Sequence, residues 1–390
     1  MKKILYLHTT SEIGGSDISL VRLVERLDRR LFTPLVVLPS DGPLVQRLRA
    51  AGATVVIMPT LWKLTSRRGR LYLVAFALHF PIAVWSLVRF IRREHVAIVH
   101  TNTIHNFYGG AAAKWAGVPH VWHIREIVWQ YAALRRLELW LVRHWSTRIV
   151  VTSDAIAAMF DAPPGRPAQL VKVPNGIEAD RFSPGDGSRV RRDLGVLPEQ
   201  PLVGTACRLD DWKGVDVFLD AAAEVARSHP AARFVVVGGP VIGQEPYAEA
   251  LKQQASRLGL DGRLHFTDWR YGPEDMPDVH RALDVFVLAS TQPEPFGLVV
   301  IEAMATGKPV IATRQGGPME IVQDGVTGLL VAPRDASALA AAIRSLLDDP
   351  ARAHAMGDAG RRRALAEYTT EKYIAGIERV YGDILSVSSV

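Results

Sequence analysis

Short runs of β-branched and aliphatic residues alternate along the chain with stretches whose apolar positions recur every three or four residues. The runs fall at Ile4 to His8, Pro34 to Leu38, Thr54 to Met58, Ala97 to Thr101, His120 to His123 and Arg148 to Thr152. They begin again at Leu202 to Ala206, Phe234 to Gly238, Leu264 to Thr267, Val285 to Leu288 and Val310 to Thr313. Near-continuous apolar strands separated by helical patterns predict parallel sheets joined by crossover helices. Because the pattern restarts, the expected fold is α/β, with two doubly wound Rossmann-like domains facing each other across a cleft. Between the two series lie Val173-Pro-Asn-Gly-Ile177 and the turn-rich Phe182-Ser-Pro-Gly-Asp-Gly-Ser188, which suit a linker. The boundary is placed at residue 185, giving domains 1–185 and 186–367. Residues 368–390 carry helical spacing at Tyr373, Ile377, Val380, Tyr381 and Ile384, and are expected to pack back across the domain junction. In such folds sites lie outside the carboxyl ends of the strands, so the cleft is the expected site.

With 390 residues, 48% hydrophobic and 22% charged, the chain can bury two ordinary cores. Cys207 is its only cysteine, which excludes an intrachain disulfide and a cysteine-rich zinc site and points to the cytoplasm. The start, Met1 to Leu7, has too short an apolar run for a signal peptide and reads as a strand. Charge is uneven: residues 1–186 hold 24 Lys and Arg against 13 Asp and Glu, a net +11, while the remainder is −5. The arginines are scattered and no nucleic-acid-binding module accompanies them, so nucleic acid is not an expected partner. A phosphate-bearing acceptor or an anionic membrane surface accounts for the same charge. Leu71 to Val88 has only His79 and Ser86 as polar side chains, and as a helix would be about 27 Å long, near the thickness of a bilayer core. It sits between two strands of one sheet, however, so it reads as a crossover helix. Either it is buried, or it lies in the membrane interface between Arg67, Arg68, Arg70 and Arg89, Arg92, Arg93.

Three loops carry chemistry. Gly14-Gly15 precedes a helix, where backbone can approach a ligand and free N–H groups favour an anion. No G-x-G-x-x-G or G-x-x-x-x-G-K-[ST] pattern is present, which removes the fingerprints of dinucleotide-binding and P-loop proteins. Arg208 and Lys213, at the end of the first strand of the second series, can pair with a diphosphate and stabilise the charge growing on it as it leaves. In Ser290-Thr-Gln-Pro-Glu294-Pro-Phe-Gly297-Leu-Val-Val-Ile-Glu302, the loop carboxylate Glu294 can accept from sugar hydroxyls. The helical Glu302 can hold a ribose diol, and the free N–H groups at Phe296, Gly297 and Leu298 can face phosphates.

These features, with Gly316-Gly317-Pro318-Met319-Glu320 after the next strand and the weaker Val173-Pro-Asn-Gly-Ile177, resemble the retaining, GT-B-fold glycosyltransferases of family 4. The resemblance covers essentially the whole chain and is most specific in the second domain. It implies that Arg208 and Lys213 hold the nucleotide diphosphate, that Glu294 with backbone from Phe296 to Leu298 holds the donor sugar, and that Glu302 binds the ribose. Gly14 and Gly15 would join the donor site, backbone near His265, Phe266 and Thr267 would read the base, and His123 would stand against the donor sugar. The implied reaction moves a sugar from a UDP or GDP sugar to a glycan or lipid-linked acceptor in bacterial-type polysaccharide or glycolipid assembly. It would take place in the cytoplasm or on the inner face of the membrane. No Asp-x-Asp occurs, so no metal cofactor is expected and the protein's own cations would neutralise the leaving diphosphate. With no nucleophile candidate in evidence, front-side attack is the favoured route to retention. A nucleotide-sugar epimerase of similar build and a non-catalytic nucleotide-sugar-binding subunit are the alternatives.

Overall fold

In the computed structural model, which describes residues 1–12, 15–62, 69–128, 132–162 and 165–387, the chain divides into two compact units. One comprises Met1–Gly176 together with Thr370–Val390, the other Ile177–Thr369. Among the described residues the first unit contains β1 (Lys2–Leu7), β2 (Phe32–Leu38), β3 (Thr54–Ile57), β4 (Val96–Thr101), β5 (His120–Ile124), β6 (Arg148–Val151) and β7 (Leu170–Lys172), in the order β3-β2-β1-β4-β5-β6-β7. The second contains β8 (Leu202–Ala206), β9 (Arg233–Val237), β10 (Leu264–Phe266), β11 (Val285–Leu288), β12 (Val310–Thr313) and β13 (Leu329–Val331), in the order β10-β9-β8-β11-β12-β13. Every neighbouring pair is parallel. Each sheet starts in its middle, winds to one edge and returns to the other side of its first strand. The order reverses between β1 and β4 and between β8 and β11, where strand-end loops diverge and a ligand can enter. All the expected strands are present. The three-residue edge strands β7 and β13 are not among the runs expected from the sequence.

The two units meet in sequence at Gly176 and Ile177 rather than at residue 185. Ile177 and Phe182 are both buried in the core of the second unit, and the Ile177 N–H donates to the Tyr368 carbonyl at 2.9 Å. The Ser-Pro-Gly-Asp-Gly turn therefore belongs to the second unit. The last helix, Thr370–Val387, belongs to the first. Its buried stripe Tyr373, Ile374, Ile377, Val380, Tyr381 and Ile384 joins Ile4, Tyr6, Leu20 and Phe32 in one core. Gly376 lets it come close: a Cβ there would lie 2.7 Å from Val173 Cγ1.

The long apolar segment forms the helix Gly69–Arg93 connecting β3 to β4. Ala83, Val84, Leu87, Val88 and Ile91 pack on Leu5, Leu7, Leu35 and Val99 of the sheet. The opposite face, with Leu71, Val74, Leu78, Ile82 and Trp85, is exposed. Both strands joined by this helix lie in one sheet, so it does not span a bilayer.

Ile377 has no exposed surface, so Ile377→Ala should cost the first unit about 2–4 kcal/mol. A lower urea midpoint with little change in slope is the expected result. An unchanged midpoint would show that the terminal helix is not part of this core.

Candidate active site

β8 ends where the Cys207 N–H donates to the Val237 carbonyl and the Leu209 N–H to that of Gly239, both at 2.9 Å. A single 3₁₀ turn, Asp211–Lys213, then leads through Gly214 into the helix Val215–Ser228. Gly214 has φ +67°, and a Cβ would sit 2.0 Å from the Ala289 carbonyl oxygen, so only glycine fits. This tight passage aims Lys213 at Glu294. Lys213 Nζ lies 3.0 and 2.9 Å from the two carboxylate oxygens, with the Trp212 ring beneath it at 4.0 Å. Ser290 Oγ donates to Glu294 Oε2 at 2.9 Å. The two side chains are only 13% and 11% exposed, so the pair is largely withdrawn from water. Arg208 is 56% exposed and lies 3.1 Å from Asp210, on the same loop but outside the Lys213–Glu294 contact. Burial pushes the neighbouring Cys207 thiol up to about 11, so it stays protonated and plays no nucleophilic part at neutral pH.

The Glu294 loop is fastened by backbone. Glu294 and Gly316 form a parallel bridge, and the Gly317 N–H donates to the Glu294 carbonyl at 2.8 Å. A Cβ on Gly316 would fall 2.3 Å from the Glu294 carbonyl oxygen, and one on Gly317 2.2 Å from that of Phe296. Gln315 and Thr313 both donate to the Ser290 carbonyl, at 2.6 and 2.9 Å. Phe296 is buried edge-on to Tyr368, so its side chain serves the core and only its backbone is left for a ligand. Gly297, at φ +105°, starts the helix Leu298–Ala305 without a side-chain cap. Its first-turn N–H groups at Leu298 and Val299 have no intrahelical acceptor, the arrangement that binds anions. On that helix Glu302 stands 3.6 Å from His280 Nε2, beyond hydrogen-bond reach. His280 is fully buried and neither ring nitrogen has a hydrogen-bond partner.

Thr267 follows β10. Its N–H donates to the Val236 carbonyl at 3.1 Å, and its hydroxyl accepts from the Gly238 N–H at 3.4 Å. Phe266 and His265 lie on β10 itself, and burial, with Arg233 nearby, holds His265 below the usual imidazole range. The loops after β8, β9 and β10 are thus tied together at one end of the sheet. Lys213 and Glu294 meet directly, whereas among the described residues no hydrogen bond or ion pair joins them to Arg208, Glu302 or Thr267.

In the first unit Gly14 lies outside the described residues, and Gly15 opens the helix Gly15–Arg26. Two residues on, Asp17 hydrogen-bonds His8 Nε2 in a buried pair. His123 is fully buried on β5. Its Nδ1 is 3.2 Å from His100 Nε2, His100 Nδ1 is 2.7 Å from the Tyr381 hydroxyl, and Tyr381 donates to Tyr6 at 3.2 Å. His123 Nε2 has no hydrogen-bond partner. Burial, with Arg125 and His100 close by, holds His123 well below the usual range, so it is neutral. Arg125 itself donates to Asn102 at 2.8 Å and to Asn175 and the Tyr373 hydroxyl. Ser290, His280, Asp17, His100 and Arg125 were not found from sequence. Ser290 opens the quoted Ser290 to Glu302 phrase and could have been weighed with it, and Arg125 lies two residues after His123; His100 and His280 carry no local signal.

Two doubly wound units, one bearing a cation–carboxylate pair and an uncapped helix start at its strand ends, are the architecture that the comparisons with known proteins assign to the GT-B glycosyltransferases. The model for glycosyl transferases group 1 matches residues 188–363, and that for glycosyltransferase family 4 matches residues 13–181. A GDP-mannose-dependent alpha-(1-6)-phosphatidylinositol monomannoside mannosyltransferase of Mycolicibacterium smegmatis is 35% identical over 267 residues, 66% of this chain and 68% of that protein. A D-inositol 3-phosphate glycosyltransferase of Nocardia farcinica is 40% identical over 187 residues, 47% of this chain but only 41% of that protein. The crystal structure of Anabaena HepE in complex with UDP and glucose superposes with a TM-score of 0.84 at 27% identity, covering 98% of this chain and 100% of that one. The chain belongs to glycosyltransferase family 4.

Removing Lys213 would leave the Glu294 carboxylate desolvated without its cation. Lys213→Ala should therefore destabilise the second unit by about 2–3 kcal/mol, and adding Glu294→Gln should recover much of the loss, because a neutral amide needs no counter-charge. Urea unfolding of the two single variants and the double variant measures the coupling. Strictly additive losses would show that the pair does not hold the loop.

Proposed function

We propose that this glycosyltransferase moves a sugar, with retention and without a metal, from a UDP or GDP sugar to a hydroxyl of a glycan or lipid-linked acceptor in glycolipid or polysaccharide assembly. The observation that carries this reading is the desolvated Lys213–Glu294 pair beside the free N–H groups at Leu298 and Val299. A bound donor would bring a diphosphate to compete for Lys213 and sugar hydroxyls to satisfy Glu294. Arg208, exposed on the same loop, can swing onto the diphosphate, and Glu302 can hold the ribose diol. In the transfer the bond from the anomeric carbon to the β-phosphate oxygen breaks and its electron pair stays on the phosphate. The acceptor oxygen bonds the same face of that carbon, and its proton passes to the departing phosphate. Lys213, Arg208 and the helix start stabilise the charge that develops there.

Charge neutralisation on the leaving diphosphate is assigned to the two cations, Lys213 and Arg208. UDP or GDP as the nucleotude carrier is supported by the names of the relatives, one dependent on GDP-mannose and one solved with UDP.

A thermal-shift screen of UDP, GDP and ADP sugars tests the donor. The true donor at 100 times its dissociation constant should add about 2.7 kcal/mol, and no shift from any of them would overturn the reading. In turnover assays Arg208→Ala and Lys213→Ala should each lower kcat a few hundredfold, about 3–4 kcal/mol, and EDTA should change nothing. Wild-type turnover in both variants, or loss in EDTA restored by magnesium or manganese, would refute the assigned chemistry.

A further inference from the structure

The helix Gly69–Arg93 has two apolar faces, and only one of them is used by the fold. Leu71, Val74, Leu78, Ile82 and Trp85 are each 57–88% exposed. At 100° per residue they fall within an arc of about 80°, a stripe roughly 21 Å long, opposite the face packed on the sheet. Arg89 and Arg92 continue the same stripe after Trp85. The Arg89 guanidinium lies 4.7 Å over the Trp85 ring, and Arg92 donates to the carbonyl of the exposed Trp115 at 2.9 Å. Arg93 follows, partly neutralised by Glu94. Trp115 lies in the last turn of the helix Phe107–Ala116, which packs against both the long helix and Ala132–Trp145. That last helix exposes Leu137 and Trp140, the latter stacked on His144 at 4.3 Å.

We infer that this face of the first unit docks on the surface of an anionic lipid bilayer, the long helix lying in the interface plane with its outer stripe among the acyl chains and its arginines at the headgroups. Three observations favour lipid over a protein partner. Four successive positions of the stripe are aliphatic and the fifth is tryptophan, tryptophans stand where apolar surface gives way to arginine, and residues 1–186 carry a net +11 that complements anionic headgroups. The helix's other face is committed to the sheet, so it lies on the membrane and does not cross it. The inference gives the proposed lipid-linked acceptor a place to be met, and its test reads attachment separately from donor chemistry.

The full chain is sedimented with vesicles of phosphatidylcholine alone and of phosphatidylcholine with 30% phosphatidylglycerol, at low and high salt. At low salt the bound fraction should be at least fivefold greater on the anionic vesicles, and salt should lower it in part, the inserted stripe retaining the rest. Leu78→Glu with Ile82→Glu should reduce binding tenfold or more. Arg89→Gln with Arg92→Gln should abolish the preference for anionic vesicles. All four positions are exposed, so the melting temperature and the donor-induced thermal shift should be unchanged, which separates loss of docking from loss of fold or of donor binding. Equal binding to both vesicle types, binding to neither, or binding indifferent to the glutamates would overturn the proposal. So would a dimer, seen by light scattering, that the glutamates dissociate.

Discussion

The ion pair between Lys213 and Glu294 is the contact on which the second unit's site depends. Both groups are close to fully desolvated, and such a pair contributes little net stability because withdrawing two charges from water offsets most of their attraction. What it supplies is placement. Eighty-one residues apart in sequence, the two side chains meet because three glycines allow backbone to close on backbone around them. Gly214 lies against the Ala289 carbonyl, Gly316 against Glu294, and Gly317 against Phe296. Rigid main chain holds both charges in place, so under the proposed function a donor would exchange one set of ionic partners for another without first ordering the loop.

The first unit uses a different device. Its buried polar groups run in a column from Tyr6 through Tyr381 and His100 to His123, and each imidazole is kept neutral by burial. Neutral rings can be linked donor to acceptor, which fixes their tautomers and avoids burying charge. The terminal helix supplies Tyr381 to this column and Tyr373 to Arg125, so a segment that follows the second unit in sequence completes the strand ends of the first.

Much of this was legible because the strands are short, apolar and evenly spaced, so periodicity alone exposed two parallel sheets. Periodicity also marked the terminal helix, but could not say which unit its stripe of Tyr373, Ile377 and Tyr381 would cover. The boundary was placed too late because a Ser-Pro-Gly-Asp-Gly turn looks like a linker, while the burial of Ile177 and Phe182 that binds it to the second unit is a tertiary fact. Glu294 and Glu302 could be singled out from their phrase, yet nothing local revealed that Glu294 pairs with Lys213 or that His280 stands behind Glu302. The helix Gly69–Arg93 shows the same limit. Its composition was evident, but an apolar residue on the buried face and one on the exposed face look alike until the sheet is in place.

The central claim is that Lys213 serves the diphosphate and Glu294 the sugar. It is tested most directly by calorimetric titration of a nucleoside diphosphate and its sugar derivative into the wild type and Glu294→Gln. The account predicts that the variant binds the bare diphosphate at least as tightly as the wild type, since Lys213 is released, while its affinity for the sugar nucleotide falls tenfold or more. An equal loss for both ligands, or no loss for either, would contradict it.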